Sequence, residues 1–241
     1  MKDCLVVIPA RMSSARLPGK PLIDIAGLPM VHHVWNRATS VFSSDDVIIA
    51  TEDKEIEDYC LSNNLNCMLT NRTFTGEEKV KLVSDKILAK TYICLLGDEP
   101  LINTNDLKTI RNAARLYPDT VLMGRKMINE SDFYDHSKAK IVFDLNDRLL
   151  YASRAGFPLT PKGNFDKAYK AIWLYSFPKT TLDKYFNSPP TPLEKIESLG
   201  ILRFLELGIE IKCIDLIGDS WAVDEPKDIK IVENRLGNFH L

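Results

Sequence analysis

The sequence predicts an α/β fold built on a parallel sheet, and three observations carry that prediction. Apolar runs of buried-strand type, Val6-Val7-Ile8, Val47-Ile48-Ile49-Ala50 and Tyr92-Ile93-Cys94-Leu95-Leu96, recur through the first half of the chain. Stretches of helical period separate them, giving the β-α-β rhythm of parallel pairing. The chain has 241 residues, long enough to bury a real core as one large α/β domain.

The first run stops at Pro9 and passes into a loop, Ala10-Arg11-Met12-Ser13-Ser14-Ala15-Arg16-Leu17-Pro18-Gly19-Lys20-Pro21. Pro9, Pro18 and Pro21 stiffen this backbone and Gly19 lets it turn, so Arg11, Arg16 and Lys20 are held near one another. Three fixed cations at the carboxyl end of a strand suit a polyphosphate; a solvated basic loop is the plainer alternative. Pro29 to Thr39 reads as an amphipathic helix with Met30, Val34, Trp35 and Ala38 on its apolar side. Its adjacent His32 and His33 point about 100° apart, too divergent to share one metal ion easily. A helix from Glu55 to Asn63 and a short strand from Asn66 to Leu69 follow.

Thr75-Gly76-Glu77-Glu78-Lys79 opens a helix expected to reach Leu88, with Thr75 as N-cap and Glu78 at the capping-box position. The same turn exposes backbone N–H groups that can read a base edge or an anion, and one helix terminus can serve both roles. The strand Tyr92–Leu96 ends in Gly97-Asp98-Glu99-Pro100, before a helix that starts at Thr104 or Asn105. A carboxylate at a strand tip beside a cationic loop suggests Mg²⁺ held between protein and phosphates, whereas a simple turn cap is the bland reading.

From Thr120 to Phe177 the texture becomes β-rich: Val121–Met123, Ala139–Phe143, Leu149–Tyr151 and Ala171–Tyr175 read as short strands, with a turn at Asn146-Asp147. Arg154, just past one of them, could fork onto a carboxylate or phosphate, or form only a surface ion pair. Pro189-Pro190-Thr191-Pro192 opens what reads as one long helix through Leu205, with Glu194 and Glu197 in its first turns, where the helix dipole favours acids. Ile209 to Leu216 is a strand, and Val223-Asp224-Glu225-Pro226 repeats the Asp-Glu-Pro arrangement of Asp98 before a last helix from Lys227 to Leu236. Two such turns could face each other across one metal site.

The 31 basic and 33 acidic residues leave a net charge of -2, which gives no electrostatic footprint for nucleic acid or an anionic membrane. Five scattered cysteines without a C-x-x-C pair read as reduced thiols, and no run approaches a membrane span or a signal peptide, so a cytoplasmic protein is expected. There is no P-loop, no G-x-G-x-x-G, no G-x-S-x-G and no zinc-type spacing. A triphosphate loop, two Asp-bearing turns for Mg²⁺ and no evident protein nucleophile fit in-line nucleotidyl transfer, catalysed by positioning and charge neutralisation.

At this point the chain resembles, almost end to end, the sugar-acid cytidylyltransferases typified by 3-deoxy-manno-octulosonate cytidylyltransferase. The resemblance is carried by Ile8-Pro9-Ala10-Arg11 through Arg16-Leu17-Pro18-Gly19-Lys20-Pro21-Leu22, by Gly97-Asp98-Glu99-Pro100-Leu101-Ile102, by Tyr151 to Arg154, by Thr191-Pro192-Leu193-Glu194 to Leu199, and by Val223-Asp224 with Pro226. It implies a GT-A-like nucleotidyltransferase fold with a mixed, mostly parallel central sheet and a β-rich acceptor and dimerisation excursion, CTP as donor, Mg²⁺ as cofactor, and a homodimer. It divides residues 1–241 into a mainly CTP-binding part (1–119), a mainly acceptor-binding and dimerisation part (120–208) and a return to the core and metal site (209–241). Carried over, Pro9, Ala10 and Arg11 contact the cytosine or adjacent sugar, and Arg16 and Lys20 the triphosphate. Gly76 lies in the base-recognition turn, and Asp98 and Asp224 hold Mg²⁺. Lys20, Arg16 and Asp98 form the catalytic set, and Arg154, Tyr175 and Glu194 the acceptor side. The implied acceptor is the anomeric hydroxyl of a 2-keto sugar acid destined for surface polysaccharide.

Three departures stand out. Leu96 replaces the glutamine of Gln-Gly-Asp-Glu-Pro. Thr75-Gly76-Glu77-Glu78-Lys79 replaces Ser-Gly-Thr-Glu/Asp-Arg, exchanging an arginine fork for a point charge and adding an acid. Lys170-Ala171-Ile172-Trp173-Leu174-Tyr175 replaces Arg-His-x-Gly-Ile-Tyr, so the sugar-site histidine becomes Ala171. Loss of a polar group that would pair with sugar hydroxyls argues for a changed acceptor. Two other expectations remain open on the residues: cytidylyl transfer to a phosphate or phosphonate, and a non-catalytic nucleotide-binding regulator.

Overall fold

The computed structural model describes residues 1–14, 16–218 and 221–237; Ala15, within the cationic loop, and the last four residues lie outside them. The first half runs β1 (Lys2–Ala10), a small hairpin of β2 (Asp24–Ile25) and β3 (Leu28–Pro29), α1 (Met30–Thr39), β4 (Val47–Thr51), α2 (Lys54–Ser62), β5 (Cys67–Leu69), α3 (Gly76–Ser84), β6 (Ala89–Leu95) and α4 (Thr104–Leu116). The second half runs β7 (Val121–Ile128), α5 (Glu130–Tyr134), β8 (Lys140–Phe143), β9 (Leu149–Ser153), β10 (Ala168–Pro178), α6 (Lys179–Phe186), α7 (Pro192–Glu197), α8 (Ile201–Glu206), β11 (Ile211–Asp215) and α9 (Pro226–Gly237).

Among the described residues the main sheet has the order β11-β7-β10-β6-β1-β4-β5, with β8 joined to β10 and β9 to β8. β6, β1, β4 and β5 pair in parallel, as do β11 and β7, while β10 runs antiparallel between β6 and β7. The reason for the parallel half is visible in β1. Leu5 and Val7 join one core with Val80 and Val83 of α3, Leu182 and Tyr185 of α6, and Phe204 of α8. Cys4, Val6 and Ile8 join the opposite core with Val31 and Val34 of α1, Ile56 of α2, and Leu107 and Ile110 of α4. Successive side chains of one strand therefore enter two cores, and an unbroken apolar run is what such a strand needs.

Several elements depart from expectation. The helix expected to run unbroken from Pro192 to Leu205 is two short helices, because Ser198 adopts φ 53° and ψ 46° between them. α3 stops at Ser84 rather than Leu88, since the chain must turn there to enter β6 at Ala89. The short strand expected at Ala171–Tyr175 extends from Ala168 to Pro178 and lies at the middle of the sheet, and α5 and α6 lie within and after the stretch expected to be β-rich. His32 Nδ1 and His33 Nε2 have separate partners, the Tyr59 hydroxyl at 2.7 Å and the Ile25 carbonyl at 2.6 Å.

α7 and α8 are joined by a buried ion pair. Arg203 donates from Nε and Nη2 to the two oxygens of Glu194, each at 2.6 Å, and its guanidinium lies 4.0 Å from the centroid of the Tyr185 ring. Burial pulls the Arg203 pKa down, but Glu194, Tyr185 and Glu78 together hold it above the usual arginine value. Removing one member of a buried pair leaves the other charge unpaired. Glu194→Ala is therefore expected to lower unfolding free energy by about 3–5 kcal/mol in urea titration; a loss below about 1 kcal/mol, the value of a surface pair, would contradict this account.

Candidate active site

The cleft lies at the carboxyl ends of β1 and β6, where open α/β sheets place their ligands. Its floor follows from local sequence. After β1, the Met12 carbonyl accepts from Ser14 N–H at 2.9 Å and Gly19 N–H at 3.1 Å, closing the cationic loop on itself. Gly19, at φ 72°, turns the chain into a single 3-10 turn, Lys20–Leu22, that buries Lys20. Across from it, Gly97 packs so closely that a Cβ there would lie 2.7 Å from the Pro9 carbonyl oxygen. Only glycine lets the Asp98 turn approach β1 this closely.

These contacts bring three distant segments to one ammonium group. Lys20 Nζ donates to Asp98 Oδ2 at 2.7 Å and to Asp224 Oδ1 at 3.0 Å, and Arg16 Nη2 lies 2.9 Å from the same Asp224 oxygen. The Val223 N–H bonds the Asp98 carbonyl at 3.0 Å, so the two Asp-Glu-Pro turns are tied through the backbone as well. Burial lowers the Lys20 pKa, but the two carboxylates outweigh it and hold the ammonium above its ordinary value. Asp98 Oδ1 is buried with no hydrogen-bond partner. A carboxylate oxygen without a partner, on a residue that lines a cationic cleft, fits a hard divalent cation. Among the described residues no group of three or more His, Cys, Asp or Glu side chains is placed to hold a metal. Mg²⁺ suits such a site, since one or two carboxylates with substrate phosphates and water complete its shell.

The cleft encloses about 550 Å³, and Pro9, Ala10, Arg11, Arg16, Lys20, Gly76, Asp98 and Asp224 all line it. Thr75 caps α3 by accepting from the Glu78 N–H at 3.2 Å, and the Glu78 carboxylate accepts from the Thr75 N–H; a Cβ on Gly76 would lie 3.4 and 3.5 Å from the Leu96 and Pro9 side chains. Phe74, 86% exposed, stands at the cleft wall, and its carbonyl accepts from Arg11 at 3.5 Å. Sequence reasoning left Arg72 and Phe74 without a role here, and read Lys79 only as the point charge that replaces the family's arginine. Lys79 lines the cleft almost wholly buried, held by Glu52 and the Asn71 carbonyl. Its spacing of four from Thr75 on α3 was the available signal.

Arg154, Tyr175 and Glu194 do not line the cleft. Tyr175 is 2% exposed within the core, and Glu194 is the buried partner of Arg203. Arg154 donates to the carbonyls of Glu197 at 2.9 Å, Ser137 at 3.2 Å and Ser198 at 3.4 Å. Glu197, read from sequence only as a helix-dipole acid, accepts from Ser153 Oγ at 2.5 Å and from the Arg154 N–H at 3.0 Å.

Residues 5–211 match the family model described as cytidylyltransferase. The chain belongs to the cytidylyltransferase family. The 3-deoxy-manno-octulosonate cytidylyltransferase of Koribacter versatilis (strain Ellin345) is 36% identical over 236 residues, 96% of this chain and 89% of that protein. The 8-amino-3,8-dideoxy-manno-octulosonate cytidylyltransferase of Shewanella halifaxensis (strain HAW-EB4) is 32% identical over 242 residues, 96% of this chain and 97% of that protein. A solved structure of CMP:2-keto-3-deoxy-manno-octonic acid synthetase complexed with CTP superposes with a TM-score of 0.92 at 30% identity, covering 98% of this chain and 99% of that one. The enzyme thus has the mixed, mostly parallel nucleotidyltransferase fold that its motifs imply.

Behind the Gly76 turn, Glu77 is 9% exposed, and burial, with the charges of Glu194 and Glu78, pushes its carboxyl above its ordinary value of 4.5. A raised native pKa means the unfolded chain ionises first, so this group's contribution to stability falls as pH rises from 4.5 toward the native value. Urea midpoints of wild type and Glu77→Gln measured across pH are expected to show the variant gaining on wild type through that window; a constant difference would refute the assignment.

Proposed function

We propose that the enzyme transfers CMP from CTP to the anomeric hydroxyl of a 3-deoxy-manno-octulosonate-type 2-keto sugar acid, for surface-polysaccharide assembly. The observation that carries this reading is the convergence of Lys20 and Arg16 with Asp98 and Asp224 at one end of a cleft whose other end is the Gly76 turn. In the transfer, the acceptor oxygen bonds to the α-phosphorus while the bond from that phosphorus to its bridging oxygen breaks. Pyrophosphate leaves, and the hydroxyl proton is lost to water. Arg16 and Lys20 bind and orient the triphosphate and neutralise its charge, which is most of what such a reaction asks of a protein. Pro9, Ala10, Arg11 and Gly76 hold the base and sugar. Asp98 and Asp224 would hold Mg²⁺, which when bound makes the acceptor hydroxyl more acidic and offsets phosphate charge.

The same reading takes residues 1–119 as mainly nucleotide-binding, 120–208 as mainly acceptor-binding and dimer-forming, and 209–241 as the return to the metal site, in a cytoplasmic homodimer. Arg154 is the acceptor-side cation, with Tyr175 and Glu194 supporting that part from within the protein. Among the described residues no helix is long and apolar enough to cross a membrane.

Pyrophosphate release with CTP and Mg²⁺ is expected with 3-deoxy-manno-octulosonate or its 8-amino analogue, and not with small phosphates or phosphonates. Release only with a phosphorylated acceptor would overturn the acceptor class, and no release with any acceptor would favour a non-catalytic nucleotide binder. Asp98→Asn is expected to keep the circular dichroism spectrum and lose Mg²⁺-dependent turnover by about 10²-fold or more; unchanged turnover would remove Asp98 from the metal site.

A further inference from the structure

The nucleotide turn is joined to Arg154 by a continuous set of contacts that begins at Glu77, an acid where the resembling family carries threonine. Gly76 lines the cleft, but the next side chain on α3 points the other way. A Cβ on Gly200 would lie 3.2 and 3.3 Å from the two Glu77 carboxyl oxygens and 3.1 Å from the Tyr185 hydroxyl, so the bare glycine backbone is packed directly on that carboxyl. Beside it, Glu78, which caps the same turn through Thr75 and accepts from the Phe74 N–H at 2.8 Å, lies 3.6 Å from Arg203 of α8. Two successive acids thus bind the start of α3 to the break between α7 and α8.

That break supplies two of the carbonyls that hold Arg154, the others being those of His136 at 3.3 Å and Ser137 at 3.2 Å. Ser198 sits in the left-handed region, and the carbonyls on its two sides of the bend, Glu197 at 2.9 Å and Ser198 at 3.4 Å, accept from the Arg154 guanidinium. The Glu197 carboxylate takes Ser153 Oγ and the Arg154 N–H, fixing the end of β9 to the end of α7. Contacts thus run from the Gly76 turn to Gly200 through Glu77, and from residues 197–198 to Arg154. Interiors packed at native density transmit displacements along such contacts rather than absorb them.

We propose that Glu77 is a positioning residue: its carboxyl, seated on Gly200, sets the 197–200 segment and through it the Arg154 guanidinium, so that nucleotide binding at the Gly76 turn orients the acceptor side. This rests on reading the cleft as the CTP site and Arg154 as an acceptor group. Glu77 itself touches neither ligand. Glu77 is buried beside Tyr175, Tyr185 and Cys94, whose pKa values are all raised, first by burial and then by Glu77.

The test is hydrogen–deuterium exchange on the full chain with and without CTP and Mg²⁺, with CTP binding followed by calorimetry. In the wild type, CTP is expected to slow exchange around residues 151–155 and 197–203. Glu77→Ala is expected to bind CTP with little change yet lose that distant protection, and Glu77→Gln, which keeps the shape, to retain it. In turnover, Glu77→Ala should raise the acceptor KM about tenfold, within the usual range of site-to-site coupling, with kcat little changed. A purely structural role would instead reduce active enzyme and leave KM alone. Gly200→Ala presses on the same carboxyl from the other side and serves if Glu77→Ala does not fold. Full protection in Glu77→Ala with an unchanged KM, or no CTP-dependent protection in a wild type that binds CTP, would overturn the proposal. A wild type that fails to bind CTP would overturn the nucleotide reading itself, whereas distant protection without turnover of the sugar acid would overturn only the acceptor reading.

Discussion

Everything at the site depends on one ammonium group placed between two carboxylates. Lys20 reaches Asp98 across 78 positions of chain and Asp224 across 204, so the loop after β1, the turn after β6 and the turn before α9 are tied at a single point. Without the cation, two acids at facing turns would repel each other in a partly buried setting. Without the acids, a buried ammonium would have no counter-charge. The remaining Asp98 oxygen is buried without a hydrogen-bond partner in this arrangement.

The sheet makes the arrangement possible by being rigid on both faces. β1 sends alternate side chains into two separate cores, and β6 and β4 flank it in parallel register, so the carboxyl ends of these strands form a fixed platform. Loops carry the charges, but the approach of Gly97 to the Pro9 carbonyl sets the distance between them. A single added methyl at that glycine would separate the Asp98 turn from the cationic loop.

Around the other end of the cleft, the capped start of α3 is braced by acids rather than by apolar packing. Glu78 closes the capping box and lies near Arg203, while Glu77 is pressed on Gly200. The same α7–α8 region also bonds Arg154, through Glu197 and Ser198. The start of α3 and the Arg154 segment consequently meet at one buried polar junction, in which Glu194 pairs with Arg203 and burial raises the Glu77 pKa.

Much of this was legible in the sequence. Unbroken apolar runs announce strands buried on both faces, Thr75 with Glu78 announces a capping box, and the spacing of Pro and Gly in the first loop announces a folded cationic turn, because each signal acts over a few residues of backbone. The motif order also specified the family. The helix expected to continue from Pro192 to Leu205 is two; Gly200 was the one local hint of a break, and Ser198 takes its left-handed conformation two residues before it, where the Gly200 backbone packs close to Glu77 and Tyr185. Nor could sequence tell that Tyr175 faces the core or that Glu194 is committed to Arg203. Chain chemistry by itself determined which residue types were available for nucleotidyl transfer. Tertiary structure decided which of them meet, because long-range packing, not local propensity, sets the distance between side chains separated by scores of residues.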